Sequence, residues 1–209
     1  MNIYDNLDDR TRCTVEKYDK IAREYAEKTA KSGSPNDIQK FLGYLPKLPK
    51  ILDIGCSAGR DCETFRDLGS SIIGVDLSAA LVNLAREKHP EIEFIHADAR
   101  QLPLPDADFD GVWAHGLIHE MNHSDMVVAI QEMKRVLKPG GILYIRTKMG
   151  EGTEKSKDMM SSGEEREVSY LLVEDVETML SRIGFKKLDV SVSKSKSREL
   201  YWISAYYKK

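Results

Sequence analysis

From residue 50 onward, short apolar runs alternate with longer stretches whose apolar residues recur at helical spacing. The runs at 50–55, 71–76, 92–96, 109–114 and 141–147 are mostly β-branched or apolar, the pattern of strands covered on both faces. Helical spacing fills the intervals near 59–68, 78–88 and 124–137. Strand and helix in alternation predict a doubly wound α/β fold, a parallel sheet with helices on both faces. Pro139-Gly140-Gly141 is expected to turn the last of these helices into the fifth strand.

The flanks read differently. Val15, Tyr18, Ala22, Tyr25 and Thr29 predict an amphipathic helix over 14–31, stopped by Ser32-Gly-Ser-Pro35. A short helix over 38–45 follows, closed by Pro46 and Pro49, so 1–49 is read as a helical cap on the sheet. Residues 148–168, rich in Gly, Ser, Lys and Glu, predict a long mobile connection of the kind used as a lid or binding loop. Val173 to Ile183 predicts a helix ended by Gly184, and the runs 185–192 and 200–207 suit an antiparallel hairpin. The chain is expected to form one domain over 1–209: cap, core at 50–147, loop at 148–168, and C-terminal helix and hairpin at 169–209.

Charge and cysteine content narrow the setting. With 209 residues, 41% hydrophobic and 31% charged, the chain belongs with globular proteins able to bury a core. A net charge of -3 gives no footprint for gripping a phosphate backbone, which disfavours a nucleic-acid substrate without excluding one. Cys13, Cys56 and Cys62 lack metal-type spacing and are expected to be reduced apolar packers. No apolar run has membrane-spanning length, and the acidic N-terminal stretch does not read as a secretory signal. A cytoplasmic protein is expected.

The chemistry starts where the first strand ends. Ile51-Leu-Asp-Ile-Gly-Cys-Ser-Ala-Gly59 reads as a strand entering a glycine-rich turn, and Ile72-Ile-Gly-Val-Asp76 as a second strand ending in an acid. Such a turn lets a ligand lie against backbone, and an acid at the next strand tip can hold ribose hydroxyls. The turn is GxSxG, which is neither the dinucleotide fingerprint GxGxxG nor a phosphate-binding loop with Gly-Lys-Ser/Thr.

Further motifs follow in order: Gly74-Val-Asp-Leu-Ser78, Ala97-Asp-Ala99, Phe109-Asp-Gly-Val112 and Leu137-Lys-Pro-Gly-Gly141. Together they resemble the successive motifs of class I S-adenosylmethionine-dependent methyltransferases, over roughly residues 14 to 207. Gly59-Arg60-Asp61 and Lys148-Met-Gly-Glu-Gly152 are similar to small stand-alone members of types 11 and 25. Singly, Asp76 or Asp98 is an ordinary strand-end acid; their joint register carries the resemblance.

The resemblance implies a Rossmann-like seven-stranded, mostly parallel sheet with S-adenosylmethionine as cofactor. It implies that Asp53 faces the methionine ammonium, and that the backbone of Gly55, Cys56, Ser57 and Gly59 approaches the cofactor. Asp76 would then accept both ribose hydroxyls, and Leu77 would lie on adenine. Asp98 and the Ala99 amide would meet the adenine edge, and the Ala114 carbonyl the methionine ammonium. Tyr18 is the candidate for a hydroxyl at the methionine end. Ser57 departs from the family glycine.

His119-Glu-Met-Asn-His123 matches the zinc-protease pattern HExxH, but it follows a strand and precedes Ser124, which looks like a helix cap. No metal is expected. His119 is the first candidate for a general base and His115 the second, since both fall at the carboxyl edge of the sheet. The alternative for His119 is a satisfied structural histidine. Arg146, Lys148 and Arg166 are candidates for holding an acidic acceptor, against the alternative of solvated charges. The expected reaction moves a methyl group to an oxygen or nitrogen of a small molecule. A tRNA or protein acceptor, or a non-catalytic activator of a partner methyltransferase, stays open, as does oligomeric state.

Overall fold

The computed structural model describes residues 3–156, 165–195 and 199–209. Seven strands form one sheet in the order β3-β2-β1-β4-β5-β9-β8. They are β1 (Lys50–Ile54), β2 (Ser71–Asp76), β3 (Glu93–His96), β4 (Phe109–His115), β5 (Leu137–Met149), β8 (Lys186–Lys194) and β9 (Tyr201–Lys208). β1 to β5 pair in parallel, while β9 runs antiparallel to β5 and β8. The strand order reverses between β1 and β4, so the crevice at their carboxyl ends is where a ligand site is expected.

Side chains alternate across the sheet. Leu52, Ile54, Val112, Leu143 and Ile145 pack against α5 (His123–Val136) and α6 (Val173–Ile183) through Met126, Ile130, Met133, Val176 and Leu180. Ile51, Trp113, Tyr144 and Tyr206 face the other way. They meet Phe41 of α2 (Pro35–Gly43), Phe65 of α3 (Arg60–Asp67) and Val82 of α4 (Ala79–Lys88). Trp113 stacks on Tyr144 at 3.8 Å. Strands covered on both faces need continuous apolar runs, which is why they stood out in the sequence.

α1 (Asp9–Thr29) lies outside this sandwich, with Ala22 and Ala26 against Leu81 and Leu84 of α4. It begins ahead of the predicted 14, because the Asp8 carboxylate accepts from the Thr11 amide and starts the helix in a polar stretch. Asp19 of α1 caps the start of α4, accepting from Ser78 Oγ at 2.6 Å and from the Ala80 amide at 3.0 Å.

The expected irregular connection at 148–168 is partly ordered as sheet. β5 continues to Met149, and β6 (Thr153–Ser156) pairs antiparallel with β7 (Arg166–Ser169). Residues 157–164 of that connection lie outside the described residues, as do 196–198 of the hairpin turn. Among the described residues, no helix is long and apolar enough to cross a membrane.

Candidate functional site

β1 ends at Ile54, and the chain turns at Gly55 with φ +77°. A Cβ there would lie 3.2 Å from Leu117, so only glycine fits the turn without displacing a neighbour. The Gly55 and Cys56 amides donate to the Val75 carbonyl at 2.8 and 3.1 Å, pinning the turn to β2. The Ser57 amide donates to Asp76 Oδ2 at 2.8 Å, and the Ser78 amide to Oδ1 at 2.9 Å. Burial pushes the Asp76 carboxyl up, and these two amides pull against it. The Ser57 hydroxyl is buried with no hydrogen-bond partner, an orphan that a bound polar group would satisfy.

A cavity of about 860 Å³, open solvent included, lies between this edge and α1. Of the sequence candidates, Tyr18, Gly55, Ser57, Asp76, Leu77, Asp98, Ala99 and His115 line it. A second hollow shares Tyr25, Gly55, Ser57 and His115 with the first and adds Asp53, Cys56 and Arg60. Gly59 lines neither; its missing Cβ makes room for His89 and Phe94, each 2.8 Å from where that atom would sit. Packing under the turn is therefore enough by itself to require glycine here. Ala114 is fully buried in the core behind His115.

Asp98 does not project alone into the cavity. Arg100 grips it with Nε at 3.0 Å and Nη2 at 2.7 Å, and Arg100 Nη1 also reaches Asp8 and Asp125. One guanidinium thereby joins the start of α1, the third strand tip and the start of α5.

The second hollow holds two acids pushed in opposite directions. Asp53 is 2% exposed and accepts from Cys62 Sγ at 3.2 Å. Burial and the neighbouring Asp61 charge push its carboxyl well above the usual range, only partly opposed by Cys62 and Arg60. Asp61 is also buried, but it accepts from Arg60 Nε at 2.7 Å, Trp113 Nε1 at 3.0 Å and His115 Nδ1 at 2.8 Å. Burial pushes Asp61 up, yet His115 and then Arg60 outweigh it and hold the carboxyl below its ordinary value. The two carboxyls are thus pushed in opposite directions, Asp53 up and Asp61 down.

His119 does not line the cavity. It is 3% exposed in a single 3-10 turn (Ile118–Glu120), with its ring edge-on to Trp202. Its Nε2 lies 3.2 Å from Glu120 Oε1, and its Nδ1 is buried without a partner. Burial, followed by Lys148 and Arg166, pushes the imidazole well below the usual histidine range. In the zinc-like pattern the two histidines fall in different elements: His119 lies in the 3-10 turn and His123 opens α5. The cap of that helix is Asn122 rather than Ser124, its carbonyl oxygen accepting from the Asp125 amide at 2.9 Å.

The Tyr18 hydroxyl, expected at a cofactor, instead accepts from Arg166 Nη1 at 2.9 Å and lies 3.5 Å from Glu120 Oε1. Solvation is not the state of the three cations flagged in the sequence. Arg146 donates to Asp37 on the far face of β5, and Lys148 and Arg166 are buried. Arg166 pairs directly with Glu120.

Sequence reasoning passed over Glu120, Arg60 and Arg100 as site residues. Arg60 and Asp61 had a signal, a charged pair at the first turn of a helix that follows a ligand-binding bend. Arg100 sits close to Asp98 in the sequence, but its reach to Asp8 and Asp125, and the pairing of Glu120 with Tyr18 and Arg166, join parts far apart in the chain and left no signal.

A family model described as a methyltransferase domain matches residues 52–145. The chain is 31% identical over 119 residues to a malonyl-[acyl-carrier protein] O-methyltransferase of Enterobacter lignolyticus, covering 54% of this chain and 47% of that protein. It is 37% identical over 98 residues to a demethylmenaquinone methyltransferase of Chlorobaculum tepidum, covering 46% and 40%. The chain thus spans less than half the length of these curated relatives. Its fold superposes on the Burkholderia thailandensis 1,6-didemethyltoxoflavin-N1-methyltransferase, solved with its substrate and S-adenosylhomocysteine. The TM-score is 0.74 at 18% identity, covering 97% and 91% of the two chains.

Proposed function

We propose that the chain is a class I S-adenosylmethionine-dependent methyltransferase that moves a methyl group from that cofactor to an oxygen or nitrogen of a small molecule. The observation that carries the reading is the paired hollow at the carboxyl edge, where Gly55, Ser57 and Asp76 converge beneath α1. The residues fit the cofactor. Each Asp76 oxygen accepts one amide and keeps capacity for a ribose hydroxyl, and the Ser57 hydroxyl awaits a partner. Leu77, Asp98 and Ala99 would bound the adenine. Asp53 and Arg60 would meet the methionine end, where a carboxylate suits an ammonium and a guanidinium suits a carboxylate.

When bound, the cofactor supplies a sulfonium-activated methyl group, so the protein's task is alignment and exclusion of water. α1 does the covering. Arg10 Nη2 donates to Ser169 Oγ at 2.9 Å and Asp19 caps α4, so the helix is tied down on both sides of the cavity. A site closed this way favours a small acceptor over a tRNA or a folded protein. The relatives' names support that class in part, since demethylmenaquinone is a quinone and not a macromolecule, whereas malonyl is an acyl group presented on a carrier protein.

The test is methyl transfer from labelled S-adenosylmethionine to fractionated metabolite pools, with bulk tRNA and bulk protein in parallel. Label in the small-molecule fraction supports the reading. Label confined to tRNA or protein overturns the acceptor class, and none anywhere favours the non-catalytic alternative.

A further inference from the structure

The residue next to His119 has the geometry that His119 lacks. Glu120 lines the cavity together with Tyr18, Leu117 and Met121, and its side chain is 11% exposed. Its two carboxylate oxygens are treated unequally. Oε1 takes Arg166 Nη1, faces the Tyr18 hydroxyl and lies 3.2 Å from His119 Nε2. Oε2 is buried and has no hydrogen-bond partner. A buried carboxylate oxygen without a donor costs on the order of 1–3 kcal/mol, more for a charged group, so such atoms point to a missing partner. The other acids lining this cavity each have donors on both sides of the carboxylate, Asp76 two amides and Asp98 the Arg100 guanidinium, so Glu120 Oε2 alone among them lacks one.

We infer that Glu120 receives the methyl acceptor: its Oε2 accepts a hydrogen bond from the acceptor's O–H or N–H and takes that proton as the methyl group is transferred. The acceptor class is a small, largely apolar molecule presenting one such donor, since Val15, Leu117 and Met121 form the surrounding wall. The step balances. The acceptor's lone pair forms the bond to the methyl carbon, the carbon–sulfur bond breaks with its electrons on sulfur, and the acceptor's proton ends on Glu120 Oε2. The charges, one positive on sulfur and one negative on the carboxylate, cancel.

His119 then has a different task from the one its sequence position suggested. Buried with its Nε2 3.2 Å from Glu120 Oε1, it packs with Arg166 on that oxygen and so fixes which one faces the acceptor. It is a positioning residue. Arg166 comes from β7, so the segment expected to wall the pocket contributes an orienting cation.

The inference rests on the methyl-transfer reading, and the experiment separates the two. S-adenosylhomocysteine is bound to saturation, and affinities for phenol, aniline and toluene are measured by NMR titration in the wild type and in Glu120→Gln. Toluene shares the ring and lacks the donor. In the variant, Arg166 and His119 keep the amide oxygen at the Oε1 position, so the NH2 group occupies the Oε2 position and meets a donor with a donor. Phenol or aniline should bind the wild type at least ~10-fold tighter than toluene, as one hydrogen bond to a charged group gives (~1.5–3 kcal/mol). Glu120→Gln should erase that preference while S-adenosylhomocysteine affinity stays unchanged. If neither donor is preferred, or the preference survives in Glu120→Gln, the inference is wrong. Should Glu120→Gln fail to bind S-adenosylhomocysteine, Glu120→Asp, which retracts the carboxylate by one methylene, must lose the preference instead. If the wild type itself does not bind S-adenosylhomocysteine, the methyl-transfer reading falls, whatever Glu120 does.

Discussion

Asp61 offers the most demanding test of how the methionine-end hollow is held. Its carboxylate accepts from Arg60, Trp113 and His115 and is shielded from solvent, so Asp61→Ala removes three partners' acceptor at once. The indole Nε1–H of Trp113, which is fully buried, is left unsatisfied at a cost of about 1–3 kcal/mol. Arg60 loses its counter-charge, but its side chain is 29% exposed, so water recovers part of that loss. Breaking a buried pair of this kind costs about 3–5 kcal/mol in total. For a chain of this length that is a fall in Tm of roughly 6–20 °C, at about 2–4 °C per kcal/mol. Asp61→Asn separates the contributions, since its amide oxygen can still accept from Trp113 while the charge facing Arg60 and His115 is gone. The expected order in urea or thermal unfolding is wild type, then Asn, then Ala. A loss below about 1 kcal/mol for Ala, or equal losses for Asn and Ala, would refute the assignment of stability to this network.

Further outcomes follow from the neighbouring residues. Asp53→Asn should stabilise the free protein at neutral pH and weaken S-adenosylhomocysteine binding. The folded-state Asp53 carboxyl is raised, so stability is full below the unfolded carboxyl pKa and declines as pH rises through the folded value. Urea titrations across acidic to neutral pH should show that decline in the wild type and its absence in the variant. Because a bound ammonium favours ionised Asp53, cofactor affinity should rise with pH over the same window and binding should release a proton, detectable by calorimetry in buffers of different ionisation enthalpy. Asp76→Ala should weaken S-adenosylhomocysteine by at least about 10- to 150-fold, the loss of a single charge-assisted hydrogen bond (~1.5–3 kcal/mol) where two ribose hydroxyls are held, measured by calorimetry. Gly59→Ala should cost about 1–3 kcal/mol in chemical denaturation, because φ is +84° and the new Cβ would fall 2.8 Å from Phe94 Cζ.

The parallel core was legible because its strands are covered on both faces and so read as unbroken apolar runs. The strand-tip acid Asp76 and the turn at Gly55 followed from that register. The edges were less legible. Thr153–Ser156 and Arg166–Ser169 pair as a short ribbon, yet their alternating charges look like loop in the sequence. Asp9–Cys13 lacks the apolar spacing of the rest of α1, and only the Asp8 cap explains its helix. Within the site, the third dimension decided matters. His119 is turned inward by packing against Trp202 of β9, and Glu120 is turned to the cavity by Arg166 of β7. Neither partner is near in sequence, so spacing alone could not show which member of the pair faces the cavity.

The central claim is that the carboxyl-edge crevice binds an adenosine carrying the methionine arm. Calorimetry of the wild type with S-adenosylhomocysteine, with NAD as the competing nucleotide, tests it directly. Saturable one-to-one binding of S-adenosylhomocysteine and none of NAD is the predicted result; NAD binding alone, or no binding of either, would contradict it.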